Sequence, residues 1–498
     1  MAQRRPCLHR AAGLTRTPGR GRRARLSHTE ATVVGGGITG LAAAWELARG
    51  GARVTLLESS PRLGGKIMTE EFRGRAVDMG PDAFLARVPE ALQLCHELGL
   101  GEELVGVATE AASLWVRGRV WRTWRTDPVR HVLQSRGRLR PVPAGAVLGA
   151  PTSLAALARS RVVPARGVAR AALDLVLPGK DLGPDPTVGD IVTARFGREV
   201  HQRLVDPLVG GIHAGPSARL SARAVAPQLA TGAASHRSLL LGLRRASAPS
   251  PASSPSGAGL APAFVSLRRG LGHLVARLEE ALRAHGVHIQ LGRAADLPSA
   301  GTRNAVIVTT PAPAAAALVA GASPEAAAEL AAIEHSSVVL VVLSYPVAAF
   351  AGHAPPPGSG FLVPQVERRL MTACSFGSSK WPHWANEDEV VLRVSAGRWG
   401  DERAMALDDA ELVARLHHEL EQALGLRREP LAGRVTRWAG AFPQYRPGHL
   451  ARVARIEAAL ARDAPSVQLA GAALRGVGIP ACIAQGRAAA RRALGLTS

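Results

Sequence analysis

The chain is short of aromatic residues, 4% of its 498 positions, and has two tyrosines, Tyr345 and Tyr445. Its four cysteines, Cys7, Cys95, Cys374 and Cys482, stand far apart with no C-x-x-C pair. This excludes a disulfide framework and a cysteine-rich zinc site, and fits a reducing cytoplasm. Sixteen histidines include no H-E-x-x-H or comparable ligand spacing, so no metal is expected. His417-His418 lies in a helix-like segment and is expected at the surface. No apolar run reaches membrane-spanning length, which excludes a transmembrane helix. Acidic residues are scarce too: 39 Asp and Glu face 61 Lys and Arg, for a net charge of +22. Part of that excess is local. Residues 1–28 hold eight arginines, no acid, no apolar periodicity and no signal-peptide core. They read as a disordered basic extension. A transit peptide, a nucleic-acid tail and a misassigned upstream start are the choices, and the last fits best because the first strand begins only at Ala31. What the chain does supply is length, 498 residues, enough for two or three domains, and 47% hydrophobic residues, enough to bury large cores.

The stretch that organises the rest is Ala31–Glu58, ATVVGGGITGLAAAWELARGGARVTLLE. It reads as strand, glycine turn, helix, strand. Gly35-Gly36-Gly37-Ile38-Thr39-Gly40 carries G-x-G-x-x-G. The first glycine permits a tight turn, the second lets backbone approach a diphosphate, and the third lets helix pack on strand. The helix N-terminus then offers free N–H groups and positive dipole to phosphate. Glu58 stands where a carboxylate accepts from ribose hydroxyls. Directly after it, Arg62-Leu63-Gly64-Gly65-Lys66-Ile67-Met68-Thr69 forms R-x-G-G-[KR]-x-x-T, a second phosphate-contacting loop. A nicotinamide domain does not need that loop; it points to FAD. Gly80-Pro81-Asp82-Ala83 reads either as a turn beside the flavin ring or as an ordinary Gly-Pro turn.

Further along, Pro89–Leu98 reads as an amphipathic helix. Trp115 to Gly145 interleaves three tryptophans with eight arginines, either a solvated basic hairpin or a surface for an anionic partner. Asp190–Leu208 is a helix candidate, followed by the glycine-rich Val209–Gly215. Residues 246–262 are Ser/Pro/Ala-rich and read as a flexible loop. Ala305–Thr310 is a buried strand, so the nucleotide domain is rebuilt from distant segments. Ser337–Leu343 and strands near Gly360–Pro364, Leu370–Ser375 and Val390–Ser395 suggest an antiparallel sheet in a second domain. A last strand, Val467–Gly471, leads through Gly476-Val477-Gly478-Ile479-Pro480 into a final helix, whose N-terminus can face the reduced flavin.

At these motifs the chain resembles the flavin amine-oxidoreductase superfamily. More narrowly, it resembles the oxygen-dependent protoporphyrinogen and coproporphyrinogen III oxidases, over nearly all of Ala31 to Leu494. The narrower likeness is carried by Arg136–Gly145, Leu208–Gly215 with Leu220-Ser221, Gly358–Pro364, Ser378–Pro382 and Gln444-Tyr445-x-x-Gly448-His449. The resemblance implies FAD contacts from Gly35–Gly40, Glu58, Ser59, Lys66, Gly80–Ala83, Ala472, Val477, Gly478 and Ile479. It implies oxidation of a porphyrinogen, preferentially coproporphyrinogen III, by six electrons in three flavin cycles, with O2 as acceptor and H2O2 as product. No catalytic side chain is then required. His213 stands where a tyrosine is common, Leu474 where an aromatic is usual, and Arg268-Arg269 replaces part of a glycine pair.

A flat apolar macrocycle with carboxylate arms needs an apolar slot rimmed by cations. Candidates are Phe361 and Leu362, with Gly210 and Gly211 allowing close approach and Arg87 taking a propionate. Phe361 and Leu362 also read as core, and Arg87 as a surface charge. An amine oxidase is the competing enzyme class; the scarcity of tyrosine for an aromatic cage counts against it. A flavin-stabilised scaffold would bind without turnover.

The expected architecture is α/β. A two-dinucleotide-binding-type FAD domain is assembled from 29–90, 262–320 and 450–498. A helical, membrane-surface-like domain spans 91–240, a flexible loop 241–261, and a mixed-sheet substrate domain 321–449. The expected partners are a porphyrinogen and O2, with no specific nucleic acid and with peripheral membrane contact open. The protein is read as cytoplasmic and as a monomer or homodimer.

Overall fold

The computed structural model describes residues 30–116, 138–246, 263–296, 304–350, 352 and 354–496. The basic extension 1–28, the centre of the Trp/Arg stretch and most of the Ser/Pro-rich loop lie outside the described residues.

Glu30–Val34 buries Ala31, Val33 and Val34 at the centre of a five-stranded parallel sheet. The strand order is His288–Gln290, Arg53–Leu57, Glu30–Val34, Ala305–Val308, Val467–Leu469. Every pairing is parallel. The domain is therefore assembled from segments more than 400 residues apart, as expected. Helix Ile38–Arg49 crosses from the first strand to the second, and the final helix Ile479–Ala493 lies against it. Glycine makes that contact possible: a Cβ on Gly486 would come within 2.3 Å of the Thr39 carbonyl oxygen. Helix Pro89–Glu97 joins the same core through Ala91, Leu94 and Cys95.

The second sheet has seven strands and is mixed. Its order is Ala432–Pro443, His335–Pro346, Glu389–Ala396, Met371–Phe376, Gly360–Leu362, Ala112–Val116, Arg138–Pro141. Gly360–Leu362 runs parallel to Ala112–Val116 and antiparallel to Met371–Phe376. Two strands inside the stretch read as helical, 91–240, thus belong to this sheet. Arg138–Pro141 pairs with Ala112–Val116, whose other partner, Gly360–Leu362, lies about 250 residues away in sequence, a pairing that local periodicity cannot announce. Helix Asp409–Leu424 covers one face with Leu412, Leu416 and Leu420. His417 departs from expectation: it is buried beside Leu416, with the Tyr345 hydroxyl 3.0 Å from Nδ1 and the two rings stacked. His418 is exposed, because adjacent helical residues point about 100° apart.

Helices Leu154–Ser160, Ala165–Ala172, Val188–Phe196, Asp206–His213, Pro227–Ser235 and Leu239–Ala246 pack around a third core. The glycine-rich Val209–Gly215 is helical as far as His213, started by Pro207 in the first turn and stopped by Ala214 in the left-handed region.

Candidate active site

The first glycine turn is built by its neighbours. The Gly35 N–H donates to the Leu57 carbonyl at 2.8 Å, and a Cβ on Gly40 would sit 1.9 Å from the Gly35 carbonyl oxygen. Glu58 closes the turn: Oε2 accepts from the Gly36 N–H at 2.6 Å and Oε1 from the Ser60 N–H at 2.8 Å. Ser59 is exposed next to it. The second loop lies directly against the first, with the Gly64 N–H donating to the Gly36 carbonyl at 2.8 Å. Arg62 was expected to offer its charge to phosphate. Its guanidinium is instead spent on the loop, donating to the carbonyls of Leu63, Ile67 and Gly65 at 3.1, 3.2 and 2.6 Å. Lys66 differs. It is exposed at the surface of the loop and makes no hydrogen bond or ion pair with any described residue, and partial desolvation by the surrounding loops lowers its pKa.

Gly80–Ala83 is clamped to the mixed sheet. Asp82 Oδ2 accepts from Lys380 Nζ at 2.9 Å, Trp381 Nε1 at 3.0 Å and Arg393 Nη1 at 2.8 Å. Burial opposes the charge on Asp82, yet these partners together hold its pKa well below the usual carboxylate range. Arg393 also donates to the Gly80 carbonyl. A Cβ on Gly80 would fall 2.0 Å from the Lys66 carbonyl oxygen, so this loop abuts the second glycine loop. Asp82 therefore orders the loop through ion pairs. Lys380 and Arg393, which sequence reasoning passed over as site residues, complete it. The chain has three lysines; Lys66 lies in the second glycine loop and Lys380, at the end of the short helix Gly377–Lys380, bonds the Gly80 loop, so that scarcity was the available signal.

The last glycine motif is held by Tyr445. Its hydroxyl donates to the Ala472 carbonyl and accepts from the Gly476 N–H, the latter at 2.9 Å. Its ring stacks on His449, centroids 4.0 Å apart, and His449 Nε2 reaches the Leu474 carbonyl at 2.8 Å. Val477 and Gly478 are left accessible, and Gly478 begins the final helix.

These parts fit FAD. Gly37 and Gly478 are the N-caps of helices Ile38–Arg49 and Ile479–Ala493, and neither helix has a side-chain cap or an acid in its first turn. A Cβ on Gly37 would meet nothing within 4 Å, whereas one on Gly36 would collide with Leu63. Two uncapped positive helix ends, an unpaired lysine and a glutamate at the end of the second strand suit a diphosphate, a ribose and a flavin ring. Gly35–Gly40, Glu58, Gly64, Gly65 and Lys66 are thus brought together, with Gly80–Ala83 adjoining.

The macrocycle residues divide. Phe361 is core: it packs edge-on against Trp115 and Phe376 with centroids 6.0 and 5.9 Å away. The reason is strand alternation, which turns Phe361 toward helix Asp409–Leu424 and Leu362 the other way. Leu362 faces Gly211, whose Cβ would sit 3.5 Å from Leu362 Cδ2, and Ile212 beside it is 48% exposed. Gly210 lies against the Gly215 carbonyl. Arg87 is exposed in the turn before Pro89–Glu97. The sheet register extends the Leu362 face, because Leu362, Ala373, Ser395 and Leu340 are successive cross-strand partners. Arg393 lies two residues before Ser395 on the same face, so this surface runs from the Gly80 loop to helix Asp206–His213. Ala373 and Ser395 were not legible as members of this face; their place follows from register alone. Concavities of about 630 Å³ around Arg73 and Arg434 and about 610 Å³ around Arg75 and Arg269 are lined by none of Gly35–Gly40, Glu58, Gly64–Lys66 or Gly80–Ala83.

Residues 38–494 match the family described as flavin containing amine oxidoreductase. The chain belongs to this family and is an FAD-dependent oxidoreductase. Within it, the chain is 35% identical to the coproporphyrinogen III oxidase of Bacillus subtilis, over 93% of this chain and 97% of that one. It is 36% identical to the coproporphyrinogen III oxidase of Mycobacterium tuberculosis, over 92% of this chain and 95% of the other. The human protoporphyrinogen oxidase is 30% identical over 93% of this chain and 98% of its own length. A solved structure from Exiguobacterium sp. 255-15, assigned as a protoporphyrinogen oxidase, superposes with a TM-score of 0.78 at 30% identity, covering 94% and 99% of the two chains. Reduced UDP-galactopyranose mutase shares the fold, with a TM-score of 0.68 at 15% identity and 94% coverage of each chain.

Proposed function

We propose that the protein oxidises coproporphyrinogen III to coproporphyrin III, removing six electrons and passing them to O2 with release of H2O2, as a step of haem biosynthesis. The observation that carries this is the flat face of small and apolar side chains, Leu362, Ala373, Ser395 and Leu340, running from the flavin loops toward Gly211. It suits a planar macrocycle better than a slender amine. The bacterial relatives named coproporphyrinogen III oxidase support the same reading.

When bound, FAD supplies the hydride acceptor and the route for electrons to O2. The chain's own residues hold and orient. The first helix N-terminus and Lys66 offset diphosphate charge, and Glu58 accepts from ribose hydroxyls. The Asp82–Lys380–Arg393 cluster fixes the Gly80 loop against the macrocycle face. The N-terminus of Ile479–Ala493 favours negative charge at the ring's far end. Neither tyrosine is free to form an aromatic cage: Tyr345 bonds His417 on the opposite face, and Tyr445 is spent on Ala472 and Gly476.

Protoporphyrinogen IX is the second reading, supported by the human relative's name. The chain's positive balance favours the tetracarboxylate over the dicarboxylate. The deciding assay gives purified holoenzyme each porphyrinogen and follows porphyrin fluorescence with oxygen uptake. A kcat/KM higher for coproporphyrinogen III is expected; a preference for protoporphyrinogen IX would transfer the assignment to it, and oxidation of neither would refute both. For location, among the described residues no helix is long and apolar enough to cross a membrane. Peripheral contact is proposed through Leu173, Val176, Leu177 and Leu241, which are 42, 62, 42 and 41% exposed.

A further inference from the structure

Arg398 stands outside every role assigned so far. It lies two residues beyond the strand Glu389–Ala396, in a turn closed by its bridge to Asp401. Its side chain is half-buried and makes no hydrogen bond or ion pair with any described residue. Two carboxylates are within electrostatic reach, but neither bonds Arg398. Asp206 Oδ1 accepts from the Ser217 N–H at 2.8 Å and hydroxyl at 2.7 Å. Asp401 holds Arg403 with two bonds of 2.8 Å. Burial lowers the Arg398 pKa, the sign that these acids do not fully offset its desolvation, yet a guanidinium stays charged in any physiological range. A half-buried, charged fork without a bonded partner is costly unless something else supplies one.

The surroundings put this fork at the end of the macrocycle face. The Trp399 N–H donates to the Ala214 carbonyl at 2.7 Å, immediately after the helix that carries Gly210 and Gly211. The Trp399 ring is pinned by the Arg219 guanidinium, 3.8 Å from its centroid, so the turn is held in place. Arg393, five residues earlier, reaches the Gly80 loop at the other end. Three residues of strand and two of turn separate the two arginines, so at about 3.3 Å per extended residue their backbones are at most ~16 Å apart. That matches a tetrapyrrole whose reacting edge meets the flavin while an arm extends away from it.

We infer that Arg398 binds a carboxylate arm of the substrate at the end of the face remote from the Gly80 loop. This rests on the porphyrinogen reading above. It adds a second cation to the exposed Arg87, and it favours the substrate with more carboxylates.

The test uses FAD-loaded wild type, Arg398→Gln and Arg398→Lys. Coproporphyrin III and its tetramethyl ester are titrated by fluorescence quenching, beside steady-state turnover of coproporphyrinogen III. A charge-assisted bidentate contact predicts that Arg398→Gln raises Kd for the free acid and KM about tenfold or more. The same variant should leave kcat within about twofold, as expected for binding shared by ground and transition states. Arg398→Lys, which keeps the charge but not the fork, should recover only part of the loss, and the ester should bind wild type and Arg398→Gln alike. Unchanged Kd and KM in Arg398→Gln, with a lowered thermal midpoint, would overturn the inference and leave Arg398 as a counter-charge for Asp206 and Asp401. An equal loss for acid and ester would overturn it too. Wild type that oxidises neither porphyrinogen would instead refute the reading on which it rests, a result separable from any variant's.

Discussion

Among single residues, the glycines of the first turn separate two demands that the motif blends. Gly40 answers to the fold, since its Cβ would overlap the Gly35 carbonyl. Gly37 answers to the ligand: it is an extended N-cap with open space beside it. Aspartate is a good N-cap, so Gly37→Asp should keep the apo fold and its thermal midpoint while placing a carboxylate where diphosphate must lie. The expected result is folded protein without flavin absorbance; a flavin-replete Gly37→Asp would remove this turn from the cofactor site. Gly40→Ala should lose stability itself, by roughly 1–3 kcal/mol or more of overpacking, read from denaturant unfolding. Lys66 and Arg62 show the complementary lesson. Both are cations on one loop, but Arg62 is consumed by loop carbonyls, and only Lys66 is left to meet an anion.

Between elements, one junction is tuned by a buried acid. Asp78, at the end of the hairpin Thr69–Phe72 and Arg75–Asp78, accepts from the Leu271 N–H at 2.9 Å and the Thr69 hydroxyl at 2.5 Å. It thereby ties the hairpin to the start of helix Gly272–Ala284. Burial raises its pKa to about 7; the Thr69 bond and Arg393 oppose the rise, and Asp82 adds to it. The folded state therefore holds a proton that the unfolded chain has released. This contribution stabilises at low pH and is lost as pH rises from about 4 to about 7. The limiting slope is ~1.4 kcal/mol per pH unit. Asp78→Asn in the holoenzyme should flatten the stability profile across that window and gain most, relative to wild type, at its upper end. Parallel profiles for the two proteins would show that Asp78 does not titrate there.

For the whole molecule, the helical segment turns an apolar and basic surface outward. Leu173, Val176 and Leu177 follow helix Ala165–Ala172, and Arg237 donates to the carbonyls of Leu175 and Val176, holding a cation beside them. Leu241 projects from Leu239–Ala246, which ends in Arg244 and Arg245. Val176→Glu with Leu177→Glu should weaken co-sedimentation with anionic vesicles and leave turnover of soluble coproporphyrinogen III unchanged. Equal sedimentation of variant and wild type would remove the membrane contact from this surface. Pairing offsets part of the charge, as in Arg446–Glu334 and Arg475–Glu457, but 61 basic residues against 39 acids leave an excess of cations that no acid of the chain can match.

The nucleotide half was legible in sequence because its chemistry is local. A strand, three spaced glycines, a helix and an acid occupy fewer than thirty consecutive residues, and backbone geometry leaves that spacing few alternatives. The resemblance to the porphyrinogen oxidases was legible for the same reason, in short motifs along the chain. The faces of the second sheet were not. Whether Phe361 or Leu362 is core depends on which side of its strand the helix Asp409–Leu424 covers, and a one-residue choice of face reverses the answer. The membership of Ala112–Val116 in the second sheet, the burial of His417, the clamp of Lys380 and Arg393 on Asp82, and the unpaired Arg398 share one cause. Each is fixed by contacts between residues far apart in the chain, where packing and hydrogen bonding, rather than local preference, choose the partner.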